Sequence, residues 1–209
     1  MLCIISVRKG SSLKDKNIRP YKGKPLLVNC VEKCLKVFPR VLVLSDSEDY
    51  AKYVENLCEV MIDEAVGDMD DVTIRLRKCV ERLDFKGRII LCQCTSPNIK
   101  IESYEGVRDK SLELKDDEIL ISCVEVTQKP SAFFLMDGEG NLQTAIKGMP
   151  IVSKPRQLLE KVYYYNGGVT SFHSQQLFQD SLFENSKMKP FMISEEEILD
   201  IDREDDYRK

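Results

Sequence analysis

Apolar and polar positions along the chain alternate between two periods. Residues 3–7 form a short apolar run that fits a buried strand. Leu26, Leu27, Cys30, Val31, Cys34 and Leu35 then fall at i, i+1, i+4, i+5, i+8 and i+9, one stripe of a helix. That helix is predicted over 25–38, with Pro25 in its first turn, where a missing N–H costs nothing, and Pro39 stopping it. A strand follows at 41–44, a helix at about 48–58 and a weak strand at 60–62. A second amphipathic helix is predicted over 71–82, with Val72, Leu76, Cys79, Val80 and Leu83 on its stripe. A strand at 88–93, a helix at 101–115 and a strand at 118–126 complete the series. Repeated strand–helix–strand units of this length imply a mostly parallel sheet with helices on both faces. The polar loops after Val7, Leu44 and Gln93 should meet at the carboxyl edge of that sheet, where such folds bind ligands.

The pattern changes after Val126. Phe133 to Met136, the turn Asp137-Gly138-Glu139-Gly140 and a run from Leu142 read as a β-hairpin. Residues 129–165 are thus an excursion, and alternation resumes with a strand at 168–172, a helix near 174–181 and a closing segment at 198–201. A length of 209 residues suits one domain over 1–209, and 43% hydrophobic residues can bury a core. A net charge of -4, from 31 Lys+Arg and 35 Asp+Glu, argues against a generally basic nucleic-acid binder. No stretch approaches the roughly 20 apolar residues of a membrane span. Arg8 and Lys9 interrupt the first apolar run, so no signal peptide is read and the cytoplasm is the expected location. The eight cysteines fall in predicted strands and helices, no CxxC pair occurs and His173 is the single histidine. They are expected as reduced core thiols and not as a zinc site or a disulfide framework. His173 is expected to be a surface or structural residue.

Four segments carry candidate chemistry. Residues 8–24 hold seven cations (Arg8, Lys9, Lys14, Lys16, Arg19, Lys22, Lys24) and one acid, Asp15, between a strand and a helix. Such a loop can hold phosphates through cations and backbone N–H groups, although a solvated surface loop has the same composition. It matches neither the P-loop nor GxGxxG. In Asp200-Ile201-Asp202 the two carboxylates share one face of an extended segment and could bind Mg2+, or they belong simply to an acidic tail. Gln93-Cys94-Thr95-Ser96-Pro97 ends a central strand, and Pro155-Arg156-Gln157 precedes the tight turn Asn166-Gly167-Gly168.

In this order, these segments resemble the CMP-sialic acid synthetase (acylneuraminate cytidylyltransferase) family. The resemblance rests on Ile4-Ile5-Ser6-Val7-Arg8, Lys16-Asn17-Ile18-Arg19-Pro20, Gly23-Lys24-Pro25-Leu26 and the three segments just named. It implies a Rossmann-like three-layer α/β/α nucleotidyltransferase fold and transfer of CMP from CTP to an acidic nonulosonic sugar, releasing pyrophosphate. It further implies that Arg8 and Lys16 bind the triphosphate, and that Ser6, Val7, Arg8, Lys16 and Asn17 line the nucleotide. Asp200 and Asp202 would hold Mg2+, Asp202 acting in catalysis with Arg8 and Lys16. Gln93, Ser96, Arg156 and Asn166 would face the sugar, and the 129–165 excursion would make a homodimer. Alternatives are a nucleotidyltransferase of the same fold using another sugar or polyol phosphate, and a catalytically impaired nucleotide-binding subunit. The chain departs from the family where many members carry an Arg-Pro pair. Here Ile62-Asp63-Glu64 puts acid where a cation is expected, while Tyr164, Thr170 and Ala132 replace other contacts.

Overall fold

The computed structural model describes residues 1–9, 13–63, 72–127, 130–146, 161–179, 181–184 and 186–208. Its first half alternates as the pattern predicts. The elements are β1 (Leu2–Val7), a small hairpin of β2 (Pro20–Tyr21) and β3 (Lys24–Pro25), and α1 (Leu26–Leu35). Then come β4 (Val41–Ser45), α2 (Glu48–Ala51), β5 (Glu59–Ile62), α3 (Val72–Arg82), β6 (Arg88–Cys92), α4 (Ile101–Glu113) and β7 (Glu118–Glu125). The second half supplies β8 (Phe134–Met136), β9 (Leu142–Thr144), β10 (Tyr163–His173) and β11 (Lys187–Met192).

Seven strands form one sheet in the order β11-β7-β10-β6-β1-β4-β5. β1, β4, β5 and β6 pair in parallel, as do β7 and β11, and β10 runs antiparallel between β6 and β7. Alternation along β1 sends Cys3, Ile5 and Val7 to one face and Leu2 and Ile4 to the other. The first face packs on Leu27, Cys30, Val31 and Cys34 of α1 and on Tyr104 and Val107 of α4; the second packs on Leu76, Cys79 and Val80 of α3. This is the three-layer, mostly parallel architecture expected.

Several elements differ from the sequence expectation. Pro25 precedes α1 as its N-cap, with ψ 139°, and is not in its first turn. The 48–58 helix keeps only one α-helical turn, because its continuation mixes short bonds such as Tyr53 N–H to Tyr50 O with longer ones such as Glu55 N–H to Ala51 O. The 174–181 helix is a 3-10 turn over Ser174–Phe178. His173 caps it, its ring Nδ1 accepting from Gln175 N–H while its own N–H donates to Gln176 Oε1. Residues 198–201 form no strand; Ile201 N–H instead donates to Thr95 O at 2.8 Å. β11 was not predicted.

All eight cysteines are free, and all but Cys58 are buried. Sγ atoms of Cys3, Cys34 and Cys92 lie within 4.8 Å of one another. Burial pushes the Cys3 and Cys92 thiols far above their ordinary value, which keeps them protonated core groups and poor ligands. Among the described residues no helix is long and apolar enough to cross a membrane.

The chain's last segment is latched to the sheet by one carboxylate. Glu197 is buried and accepts from Lys100 N–H at 2.9 Å and Ser103 Oγ at 2.5 Å, capping α4 from far along the chain. It also accepts from Ser194 N–H and Oγ. Burial alone would raise its pKa, but these bonds outweigh burial and hold it below the usual range. A depressed carboxylate stabilises the fold above its unfolded pKa of about 4.3, and that contribution is lost as pH falls through the lower native value. Glu197→Gln should therefore cost about 1–3 kcal/mol in urea unfolding at pH 7 and flatten the acid-side decline in stability.

Candidate active site

The carboxyl ends of β1, β4 and β6 lie side by side, with Val7 opposite Ser45 and Ile5 opposite Cys92. A polar cavity of about 340 Å3 opens there, lined by Ser6, Arg8, Lys16, Asn17, Arg75 and Gln93 among others. The end of β1 with the loop that follows it, the start of α3, and the end of β6 with its following loop build it.

The first loop is held by its own side chains. Asn17 is buried, its Nδ2 donating to Arg8 O at 3.0 Å and its Oδ1 accepting from Cys94 Sγ at 3.3 Å. Asn17 thus shapes the loop as well as lining the cavity. Lys16 Nζ donates to Asp202 Oδ1 at 2.5 Å. Tyr207 Oη donates to Lys16 O at 2.8 Å, and Arg19 makes a two-pronged pair with Glu204 while stacking over the Tyr207 ring. The C-terminal residues therefore clasp the basic loop. Of the seven cations, Arg8 and Lys16 line the cavity. Lys9 pairs with Asp49, Lys24 with Glu32 and Arg19 with Glu204; Lys22 lies over the Tyr21 ring and Lys14 is exposed. These two are the cations that the resemblance assigns to the triphosphate.

Ile201 anchors the acidic pair. It is fully buried against Tyr21 and Leu26; Asp200 and Asp202 do not line the cavity themselves but adjoin Thr95 and Lys16, which do. Asp202 is exposed apart from its bond to Lys16. Asp200 is half-buried, and its Oδ1 is inaccessible with no hydrogen-bond partner. Burial raises its pKa, a hydrogen bond from Thr95 opposes the rise, and the Asp202 charge adds to it. These two carboxylates are the groups that could hold a hard divalent cation.

Arg75 was missed from sequence. It projects from α3 with its side chain 2% exposed and pairs with Asp63, Nε to Oδ2, at 2.8 Å. Nη1 donates to Ser6 Oγ at 3.0 Å; Nη2 donates to Val7 O at 3.2 Å and to Leu44 O at 3.4 Å. The acid at Asp63 is therefore neutralised by a cation from the next helix. The signal was present: Arg75 sits between Val72 and Leu76, on the core-facing stripe of an amphipathic helix, where a charge needs an explanation.

The sugar-side expectations fare unevenly. Gln93 is exposed and lines the cavity, its N–H donating to Gly168 O at 3.0 Å. Ser96 and Asn166 do not line it. Both are buried, and Asn166 Oδ1 accepts from Ser122 Oγ and Gly168 N–H to set the irregular bend in β10. The bend needs a glycine, since a Cβ at Gly168 would lie 2.9 Å from Asn166 Nδ2 and 3.3 Å from Ser96 Oγ. Val7 is buried and offers only its carbonyl, already bonded to Arg75. Lys33, half-buried, bonds Pro97 O and Ile99 O and so fixes the loop that carries Gln93; burial lowers its pKa. Arg156 lies outside the described residues.

Comparison with known proteins follows this geometry. The chain is 26% identical to an N-acylneuraminate cytidylyltransferase of Streptococcus agalactiae serotype V, over 99% of this chain and 51% of that protein. The serotype III protein of the same name is 25% identical with the same coverage. The chain thus spans about half the length of the curated relatives it matches. Two solved structures share the fold. One is a CMP:2-keto-3-deoxy-manno-octonic acid synthetase complexed with CTP (TM-score 0.69, 16% identity, 92% of this chain and 89% of that one). The other is a 4-diphosphocytidyl-2C-methyl-D-erythritol synthase from Anaerococcus prevotii (TM-score 0.68, 12% identity, 99% and 92%). A family model described as Cytidylyltransferase matches residues 2–200, nearly the whole chain, and the chain belongs to that family.

Proposed function

We propose that this protein transfers CMP from CTP to a hydroxyl of an acidic, nonulosonic sugar, releases pyrophosphate and uses Mg2+ held by Asp200 and Asp202. The observation that carries the reading is the inaccessible Oδ1 of Asp200, without a partner among the described residues, near Asp202 and the cavity-lining Lys16. A buried carboxylate oxygen without a donor costs free energy unless a ligand satisfies it, and two acidic oxygens suit a hard cation. The chemistry a bound Mg2+ supplies is charge neutralisation on phosphate oxygens.

The remaining work falls to the chain's own groups. Arg8 and Lys16 face the triphosphate and offset charge on the leaving pyrophosphate. Ser6 and Asn17 border the nucleotide, and Gln93 faces the sugar. The sugar oxygen bonds to the α-phosphorus as the bond to the β-phosphate oxygen breaks. Such a displacement needs alignment and charge stabilisation and no covalent residue. Purified protein supplied with CTP, Mg2+ and a panel of nonulosonic acids should release pyrophosphate with at least one. Release only with a sugar or polyol phosphate would replace the acceptor class, and release with neither would overturn the reading.

The two aspartates make a sharper test. Asp200→Asn and Asp202→Asn should each lower Mg2+-dependent turnover at least about 100-fold. A carboxylate with a raised native pKa favours the fold below that pKa and disfavours it above, so Asp200→Asn should unfold at an equal or higher temperature at pH 7. Protons and metal compete for Asp200, so the acid limb of the wild-type pH–rate profile should move to lower pH as Mg2+ is raised.

The working unit is a homodimer built on the 129–165 excursion. Among the described residues, strands β8 and β9 pair only with each other. Leu135, Met136 and Leu142 are each more than 60% exposed, next to an apolar hollow of about 830 Å3 lined by Phe133, Ile146, Tyr163 and Tyr164. A two-stranded ribbon with apolar side chains in water is marginal alone, and a second copy of the same ribbon would cover it. Met136→Asp should convert a dimer to a monomer in sedimentation velocity while leaving the circular dichroism unchanged.

A further inference from the structure

A second polar hollow, of about 360 Å3, shares no lining residue with the first cavity. Among the described residues, Lys22, Lys24, Lys33 and the amides Asn29 and Asn98 line it, and no acid does. The three cations differ in how far they are already neutralised. Lys24 holds Glu32 at 2.5 Å. Lys22 lies over the Tyr21 ring, 4.9 Å from its centroid. Lys33 is half-buried, and its Nζ donates to two neutral acceptors, Pro97 O at 2.6 Å and Ile99 O at 2.9 Å. An ammonium has three donors, so one N–H remains. Burial lowers the Lys33 pKa, and the Lys22 charge adds to the fall. Glu197 opposes it from a distance, but that carboxylate is committed to Lys100, Ser103 and Ser194. A half-buried cation bonded only to carbonyls is costly unless an anion joins it.

The position of Lys22 carries its own cost. Tyr21 pairs with Lys24, so Lys22-Gly23 is a two-residue turn, and both residues have positive φ, 51° and 86°. Such turns favour Asn, Asp or Gly at their first position. A lysine held in the left-handed region is strained, and strain of this kind gathers where a side chain is used.

We infer that this hollow binds a phosphate-type dianion, with Lys22 and Lys33 as its principal partners, and acts through Lys33 on the loop that presents Gln93. Two ammonium groups match two negative charges, and their compact charge suits a tetrahedral oxyanion, whereas a planar carboxylate is better held by an arginine fork. One loop serves both places: Gln93, Cys94 and Thr95 line the first cavity, while Pro97 and Asn98 line the hollow. An anion that draws Lys33 from Pro97 O and Ile99 O loosens the tie on that loop. The inference does not depend on the CMP-transfer reading above.

Titration of inorganic phosphate into isotope-labelled protein, followed by amide NMR at constant ionic strength, tests it without nucleotide or sugar. The amides of Lys22, Gly23 and Asn98 should shift and saturate, with Gln93 and Thr95 following the same curve, and chloride should give no saturable shift. Lys22→Asn suits the turn while removing the cation, so it should unfold at an equal or higher temperature and weaken phosphate binding about tenfold. Lys33→Met, which keeps an apolar stem, should abolish the binding. No saturation in the wild type, or unchanged affinity in Lys22→Asn, would overturn the inference. Shifts confined to Arg8, Lys16 and Asn17 would place the anion in the first cavity and overturn it equally. Saturable shifts at Lys22, Gly23 and Asn98 with Gln93 and Thr95 unmoved would keep the site and overturn its action on the loop.

Discussion

The buried guanidinium of Arg75 is the constraint on which this site depends. It joins helix α3 to the ends of β1 and β4 and to the residue following β5, because its four engaged donors go to three different strands' edges. Burying a charge is expensive, and a buried pair is weak support for stability compared with an apolar replacement. Removing one member is another matter, costing about 3–5 kcal/mol because the other is left charged and dry. The pair therefore reads as a device for geometry. It holds carbonyls and a hydroxyl in fixed directions at the point where three loops meet.

A second constraint closes the site from the opposite end of the chain. Glu197 caps α4, Ile201 N–H bonds Thr95 O, and Ile201 packs under Tyr21 and Leu26. Each contact joins residues about a hundred or more apart in sequence, so the acidic pair is held near the basic loop by tertiary structure and not by local sequence. Residues beyond Ile201 then tie the loop down through Glu204 and Tyr207.

The layered fold was legible because its helices and strands are strongly periodic: α1 and α3 carry clean stripes, and β4 and β6 are unbroken apolar runs. β11 was not legible because Lys187-Met188-Lys189-Pro190 carries two lysines and a proline and buries almost nothing; it is an edge strand, where exposed lysines and a proline are tolerated. Of the residues picked out by type and order, Arg8, Lys16 and Gln93 line one cavity, and Asp202 pairs with Lys16 beside it. Ser96 and Asn166 are buried and do not line the cavity; Asn166 Oδ1 serves Ser122 and Gly168, while Asn166 Nδ2 and Ser96 Oγ have no partner among the described residues. Arg75 escaped because periodicity alone treats a charge on an apolar stripe as noise, and its partner Asp63 looked like a defect until the helix supplied the cation.

The contact between Lys16 and Asp202 links the two halves of the proposed chemistry. Each is the other's counterion in the structure, although one is assigned to phosphate and the other to metal. On the proposed function, a triphosphate that draws Lys16 away would leave Asp202 without its cation, and a divalent ion at Asp202 would leave Lys16 without its anion. Either event would strengthen the other, by linkage by the same factor. Asp200 would add to this coupling, because its buried oxygen has no partner among the described residues and a metal would supply one. Such a site would neutralise itself at rest and exchange internal counterions for a metal–nucleotide complex, keeping charge balanced at both stages.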